Sequence, residues 1–356
     1  MQYPRRGRDL KNHVPRREKA SLVTRSPLPR TPLPTKGLFL LAPLFFCISI
    51  LGFARPAVTG GPAAPAPQSR IRVSTTLVLL PVSVTASDGA FVFGLKLENF
   101  RVFEDGQLQT PSVFDEHDAP VTVGLIVDHS RSMGAKLPDV LSSVAFFVHS
   151  SNPQDEMFVV DFNDDVSIEL MKGKAFSSDA KDLNEALTAV SARGRTALYD
   201  AVSEGLHHLQ YGHLEKKALV IISDGGDNAS HLKYAQILAQ ARQSQAVIYS
   251  IALLGADNEE ENPALLRRLC KDTGGIAFFP RAGESVAAAS AEIARDLREQ
   301  YTIGYPPPNT SRTDAFRKVE VKVIAPGRGR MRVRTRPGYT LAASDQSTAQ
   351  TDPATK

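Results

Sequence analysis

Two acidic and three hydroxyl residues of this chain, four of them directly behind apolar segments and one before a predicted helix, are of types that suit a metal ion. They are Asp128, Ser130, Ser132, Thr196 and Asp224. The first three form the pattern D-x-S-x-S directly after the apolar run 121–127, and Asp224 comes directly after the run 218–223. A set of carboxylates and hydroxyls suits a hard divalent cation rather than zinc. The sequence therefore predicts Mg²⁺ at this site, with Mn²⁺ or Ca²⁺ as alternatives.

Strands that alternate with amphipathic helices from residue 121 onward must position these donors. Buried strands are predicted at 121–127, 157–162, 218–223 and 246–253, and helical periodicity at 198–209, 232–242 and 284–299. This alternation favours an α/β domain, 119–299, with a doubly wound, mainly parallel sheet covered by helices on both faces. Ligand sites in such sheets gather at the carboxyl ends of the strands. We therefore expect the donors to meet at one edge of the sheet.

Two β-rich flanks enclose the α/β segment. Residues 70–118 read as strands with hairpin signals at Asp88–Gly89 and Asp105–Gly106, and residues 300–341 return to a β pattern. Each flank is small to fold alone. We expect them to pair into one β-sandwich-like domain into which the α/β domain is inserted. Residues 342–356 are predicted to be a disordered polar tail.

The N-terminal region carries the basic character of the chain. Residues 1–36, a predicted disordered tail, hold ten Lys and Arg against Asp9 and Glu18, a net charge of +8. Because the whole chain has +4, residues 37–356 carry −4. This distribution argues against a nucleic-acid-binding body, which also lacks aromatic residues beside its basic ones.

An uncharged apolar run, 37–54, follows the basic tail. This is the pattern of a signal peptide or an N-terminal membrane anchor, and a Pro/Ala-rich linker, 55–69, comes after it. The body is therefore expected on the periplasmic or extracellular side of the cell envelope. If the apolar run is not cleaved, it anchors the chain in the cytoplasmic membrane. Of the two cysteines, only Cys270 belongs to the exported body, which excludes an internal disulfide there.

Arginines occupy every second position near the C-terminus: Arg328, Arg330, Arg332, Arg334 and Arg336. On one strand this spacing would place all five on one face. Two interpretations stay open. The face is either a solvated edge that discourages aggregation or a cationic strip for an anionic envelope polymer or lipid.

The five donors, in this order, resemble the metal-ion-dependent adhesion site of von Willebrand factor type A (VWA) domains. The flanks "GLKLENFRVFEDGQ" and "LREQYTIGYPPP" further resemble a bacterial group of exported proteins built around this domain. The resemblance implies that Ser130, Ser132 and Thr196 are hydroxyl ligands, with Asp128 and Asp224 bound directly or through water. It also implies that a Glu or Asp of a partner protein completes the metal shell. Arg131 departs from the small residue usual at its position, and we expect it either to hinder a partner or to hold an acidic one.

Three functions are compared on this basis. The first is a non-enzymatic, metal-dependent protein-binding or adhesion module, and the second is a structural envelope protein whose metal only stabilises the fold. The third is a metal-dependent hydrolase, which would need a nucleophile or general base. The sequence shows no Ser-His-Asp ordering, no Gly-rich phosphate loop and no HExxH motif. We therefore predict that the protein is not an enzyme.

Overall fold

The computed structural model describes residues 77–308 and 315–341, apart from 171–172, 189–190, 256–260 and 282–285. The predicted basic tail, the apolar run 37–54, the linker and the C-terminal tail lie outside these residues. Within the described part of the chain, no helix is both long and apolar enough to cross a membrane.

A six-stranded sheet forms the centre of the α/β domain, in the order β10-β9-β8-β5-β6-β7. Its strands are β5 (Val121–Asp128), β6 (Glu156–Phe162), β7 (Val166–Glu169), β8 (Lys216–Ser223), β9 (Val247–Ala252) and β10 (Ala277–Phe278). Neighbouring strands are parallel except for the antiparallel pair β6–β7. All eight residues of β5 are buried. The mainly parallel sheet predicted from the apolar runs is therefore confirmed.

Helices cover both faces of this sheet. They are α1 (Leu137–Ser150), α2 (Ala180–Thr188), α3 (Leu198–His208), α4 (Tyr234–Gln243), α5 (Pro263–Thr273) and α6 (Val286–Arg298). Because strand side chains alternate between faces, Leu125 packs in a core with α1, α2 and α6, whereas Ile126 packs in a core with α3, α4 and α5. Gly124 has no room for a side chain, since a Cβ there would lie 2.5 Å from Phe158 Cζ.

The two flanks form two four-stranded antiparallel sheets, β13-β1-β11-β4 and β14-β12-β2-β3. The N-terminal flank supplies β1 (Val78–Ala86), β2 (Phe100–Glu104), β3 (Gln107–Gln109) and β4 (Val113–Asp115). The C-terminal flank supplies β11 (Tyr301–Tyr305), β12 (Phe316–Val323), β13 (Met331–Arg334) and β14 (Gly338–Thr340). Each sheet contains strands of both flanks, and buried residues of both sheets share one apolar core. The flanks therefore pair into a single β-sandwich, as their small size predicted.

A two-residue turn joins β2 to β3 at the predicted Asp105–Gly106 signal. Both residues have positive φ, 48° for Asp105 and 82° for Gly106. Tight hairpin turns need positive φ at both central positions, which favours Asp-Gly. The local sequence thus determines this hairpin.

The five alternating arginines do not share one face, so that prediction is wrong. β13 ends at Arg334, whose guanidinium pairs with Asp296 of α6 and donates to Ser83 Oγ at 2.8 Å. Arg336 is buried and donates to the carbonyls of Ala241 (3.2 Å) and Ser244 (2.8 Å). The two arginines therefore join the sandwich to the α/β domain. The carboxylate and the carbonyl oxygens that they contact compensate the cost of removing the guanidinium groups from water.

Candidate metal centre

Asp128 is the last residue of β5 and lies fully buried at the carboxyl edge of the sheet. Its Oδ1 accepts a hydrogen bond of 2.8 Å from the backbone N–H of Ser130, and its Oδ2 accepts one of 2.6 Å from Ser223 Oγ. The first bond turns the chain directly behind the strand, which is the usual local role of Asp at such a position. Both carboxylate oxygens are therefore fixed by the ends of two adjacent strands, β5 and β8.

The turn that follows brings the two serine hydroxyls together. Ser130 is buried and precedes a 3₁₀ turn, Arg131–Lys136. Ser130 Oγ and Ser132 Oγ lie 3.1 Å apart. Ser132 is exposed and places its hydroxyl at the rim of the site, above the buried Asp128. The D-x-S-x-S spacing thus lines up a carboxylate and two hydroxyls.

Asp224 directly follows the last residue of β8 and contacts the turn that follows β5. Ser132 Oγ donates a 2.7 Å hydrogen bond to Asp224 Oδ2, while Asp224 Oδ1 accepts 3.1 Å from the Gly226 N–H. Asp224 is also buried, with 1% of its surface exposed. Ser130, Ser132 and Asp224 therefore form one continuous chain of oxygen atoms.

The loop behind Asp224 holds Thr196 in place. The backbone N–H of Thr196 donates to Asn228 Oδ1 at 2.9 Å, and the Thr196 carbonyl accepts from the N–H groups of Asn228 and Ala229 at 3.0 Å each. Gly194, which has a φ of 74°, accepts a hydrogen bond of 3.3 Å from the Arg131 N–H. The segment Gly194–Thr196, which precedes α3, is thus hydrogen-bonded both to the loop after Asp224 and to the D-x-S-x-S turn.

Burial and charge raise the pKa of the Asp128 carboxyl to about 6. Loss of solvent around the group is the main cause, and hydrogen bonds from Ser130 and Ser223 oppose it. The negative charge of Asp224 raises this pKa further. Two carboxylates held this close would favour a cation between or beside them.

Two further residues belong to this site, although the sequence motif does not contain them. Ser223 holds Asp128, as described, and could have been noticed only as a hydroxyl directly before Asp224. Lys136 places its Nζ 3.7 Å from Asp224 Oδ2 and 3.5 Å from Glu261 Oε1, and donates to the Leu253 carbonyl at 2.5 Å. No sequence pattern predicts that Lys136 lies at this site, because its contacts come from three separate loops.

Arg131 and His129, the two variable positions of D-x-S-x-S, differ in environment. Arg131 is exposed beside the serines, where a partner could reach it. His129 is buried and forms an ion-pair contact with the buried Asp161 through its Nδ1. Asp161 lies within β6, which covers the strand predicted at 157–162, and Asp164 and Asp165 lie with Asn163 in the turn between β6 and β7.

The donors fit a hard cation and do not fit zinc. Within the described residues, no group of three or more His, Cys, Asp or Glu is arranged to hold a metal ion. A cation at this edge would therefore depend on hydroxyls and water in addition to the two carboxylates, as Mg²⁺ does. The Lys136 ammonium, 3.7 Å from Asp224 Oδ2, would compete with a cation for this carboxylate.

The sequence of the α/β domain matches a known family. Residues 123–291 match the family model of the von Willebrand factor type A domain. This segment has the VWA fold. The matched residues include the five predicted donors, of which Asp128 ends β5, Asp224 follows β8 and Thr196 precedes α3. No curated protein matches the chain.

Solved structures similar to this chain include three bacterial proteins. An aerotolerance-related membrane protein from Bacteroides fragilis shares 16% identity with a TM-score of 0.41, over 50% of this chain and 98% of its own. A von Willebrand factor type A protein from Catenulispora acidiphila shares 13% identity with a TM-score of 0.45, over 69% and 74%. The vWF domain of the type V pili tip protein Mfa5 from Porphyromonas gingivalis shares 20% with a TM-score of 0.28, over 31% and 39%.

Proposed function

We propose that this protein is a non-enzymatic, metal-dependent protein-binding module. The hydrogen-bonded chain from Ser130 through Ser132 to Asp224, beside Asp128, carries the proposal. VWA domains are in general interaction modules, and the exposed Ser132 lies where a partner can approach. The proposed cation is Mg²⁺, with Mn²⁺ or Ca²⁺ as alternatives.

In this proposal, Ser130, Ser132 and Thr196 supply hydroxyl oxygens, and Asp128 and Asp224 bind directly or through water. Bound metal supplies a Lewis-acidic position for one further anionic oxygen. Two carboxylates neutralise a divalent ion, so an incoming Glu or Asp of a partner keeps a strong attraction to it. The exposed Arg131 would then contact acidic groups of the same partner.

We place this module in the cell envelope, on the periplasmic or extracellular side. The support is the uncharged run 37–54 behind the basic tail, which reads as a signal peptide or a membrane anchor. The resemblance of both flanks to exported bacterial VWA proteins supports the same location. A retained anchor would hold the VWA domain near the membrane surface.

A structural role for the metal is the second candidate, because Asp128 is wholly buried and both of its oxygens already contact protein donors. In that case the metal would stabilise the domain without attracting a partner. Metal-dependent stabilisation is expected under both candidates. Only metal-dependent capture of a partner distinguishes them.

The deciding experiment is a pull-down from an envelope extract of the source organism with the immobilised protein, in Mg²⁺ and in EDTA. The wild type is compared with Asp128→Ala and Asp224→Ala, and with Asp139→Ala as a matched control. Asp139 is exposed on the first turn of α1. Capture of one partner protein that requires Mg²⁺ supports the metal-dependent binding module. This capture must be lost in Asp128→Ala and Asp224→Ala and retained in Asp139→Ala.

Capture that is indifferent to EDTA and to both substitutions would reject the metal-dependent mechanism. Mg²⁺-dependent stability with no metal-dependent partner would favour the structural candidate. Circular dichroism of each variant separates loss of the site from loss of the fold.

A further inference from the structure

A cavity of about 250 Å³ lies where the β-sandwich meets the α/β domain. Lys216, the first residue of β8, lines it, whereas the last residue of β8 contacts the metal centre. At about 3.3 Å per strand residue, the two sites lie about 23 Å apart along the strand. The cavity is therefore separate from the metal centre.

The cavity has a mostly apolar wall and six polar or charged lining residues. The apolar side chains come from Leu79, Pro81, Val113, Pro120 and Leu214. All five are only partly buried by the protein itself. The polar lining residues are Asp115, Glu215, Lys216, Lys217, Gln245 and Thr302. Lys217 Nζ already donates to the carbonyls of Leu209 and Gly212. This combination fits a small molecule with one polar end and a hydrocarbon body.

Lys216 Nζ and Thr302 Oγ1 are both buried atoms without a hydrogen-bond partner among the described residues. Loss of solvent lowers the pKa of the Lys216 ammonium, and the charges of Asp115, Asp118 and Asp155 oppose this shift. A buried charge without a hydrogen-bond partner is costly. An anion that accepts from both groups would remove this cost.

The three nearby carboxylates are engaged by other donors. Asp115 accepts from the N–H (3.0 Å) and Nδ1 (2.8 Å) of His117. Asp155 accepts from the N–H groups of Val121 (2.8 Å) and Asn152 (3.0 Å). Asp118 Oδ2 lies 3.5 Å from Arg298 Nε. None of the three accepts a hydrogen bond from Lys216 Nζ, although their charges act on it.

We propose that this cavity binds a small monocarboxylate with a short hydrocarbon body. Its carboxylate accepts hydrogen bonds from Lys216 Nζ and Thr302 Oγ1, and its hydrocarbon part packs against the apolar wall. The lining holds Lys216 and Lys217 against Asp115 and Glu215, a balance of formal charge that favours a ligand with one negative charge over a ligand with two. The proposal is independent of the metal centre.

Isothermal titration calorimetry of the full chain at pH 7 with butanoate, hexanoate and octanoate tests this proposal. Hexan-1-ol and hexylamine serve as probes of the same length with a neutral and a positive end. We expect hexanoate to bind at least tenfold more tightly than hexan-1-ol. Lys216→Met should weaken hexanoate binding at least tenfold and leave hexan-1-ol unchanged, and Thr302→Val should weaken hexanoate several-fold.

Lys181→Met is the matched control, because Lys181 is an exposed lysine on α2 that pairs with Glu185. It should bind hexanoate as the wild type does. Lys216→Met removes a buried ammonium without a hydrogen-bond partner, so urea denaturation should show it to be at least as stable as the wild type. A Lys216→Met variant as stable as the wild type excludes misfolding as the cause of lost binding.

Three results would overturn the proposal. They are hexanoate binding no tighter than that of hexan-1-ol, hexanoate binding unaffected by Lys216→Met, and tighter binding of hexylamine. The last result would instead assign the polar end of the cavity to Asp115.

Discussion

Ser132 Oγ donates a 2.7 Å hydrogen bond to Asp224 Oδ2 across 92 positions of sequence. The bond joins the turn after β5 to the loop after β8, two adjacent parallel strands. Because both loops leave the same edge of the sheet, the fold itself brings the hydroxyl and the carboxylate together. This contact is the basis for the metal-binding predictions below.

Replacing Ser132 by Ala should weaken Mg²⁺ and Mn²⁺ binding about tenfold, or about 1.4 kcal/mol. The variant loses one proposed oxygen ligand and the bond that orients Asp224. Isothermal titration calorimetry measures the change. Ser142→Ala is the control, since Ser142 Oγ donates only within α1, to the Pro138 carbonyl. Equal affinities in all three proteins would remove Ser132 from the site.

Replacing Lys136 by Met should strengthen Mg²⁺ binding by several-fold to about tenfold. The ammonium lies 3.7 Å from Asp224 Oδ2 and would repel a cation that binds this carboxylate, because both carry positive charge. The gain should shrink as NaCl is raised, because salt screens the repulsion. Lys271→Met, on the exposed side of α5, should leave affinity unchanged. Weaker binding by Lys136→Met would mean that Lys136 positions Asp224 instead.

Replacing Arg334 by Met should destabilise the protein by about 3–5 kcal/mol. Asp296 would stay buried without its guanidinium partner, although Ser83 Oγ (2.8 Å) and Tyr249 OH (2.6 Å) still donate to it. Urea denaturation gives the free energy of unfolding.

The matched control for Arg334 is Arg332→Met, an exposed arginine on the same strand, which should change stability by less than about 0.5 kcal/mol. The double variant Asp296→Asn/Arg334→Met should recover part of the loss, because it leaves no unpaired buried charge. Similar effects of the two single arginine substitutions would contradict the ion-pair explanation.

Asp155 should make the protein more stable as pH falls from 7 toward 4. Burial raises the pKa of its carboxyl to about 6 from an ordinary value of 3.8. Between these values the folded state binds a proton that the unfolded state does not, so the unfolding free energy rises as pH falls. The size of this contribution is about 1–3 kcal/mol.

The measurement for Asp155 is urea denaturation at pH 7, 6, 5 and 4 with EDTA present. Asp155→Asn should have a smaller increase in stability at low pH than the wild type, and the exposed control Asp139→Asn should follow the wild type. Asp128, with a pKa also near 6, contributes in the same direction in all three proteins. Parallel curves for wild type and Asp155→Asn would contradict the prediction.

The sequence alone determined the central sheet and the edge on which the candidate site lies. Short runs such as Val121–Val127 carry no charge and are mostly apolar, as is typical of a strand covered on both faces. Parallel strands joined by helices all end at the same edge. D-x-S-x-S after one strand and Asp224 after another must therefore meet. The Asp105–Gly106 hairpin could also be predicted from the sequence, because the two turn residues alone determine it.

Only the tertiary structure decided which side chains surround those donors. Ser223 holds Asp128, and Lys136 approaches Asp224, through contacts between segments about 90 positions apart. The alternation of the arginines predicted that their side chains share one face of a strand. It could not show that β13 ends at Arg334 or that Arg334 contacts α6. The periodicity of a sequence specifies on which face of its own strand or helix a side chain lies. The packing between elements decides whether that face meets solvent or a buried carboxylate.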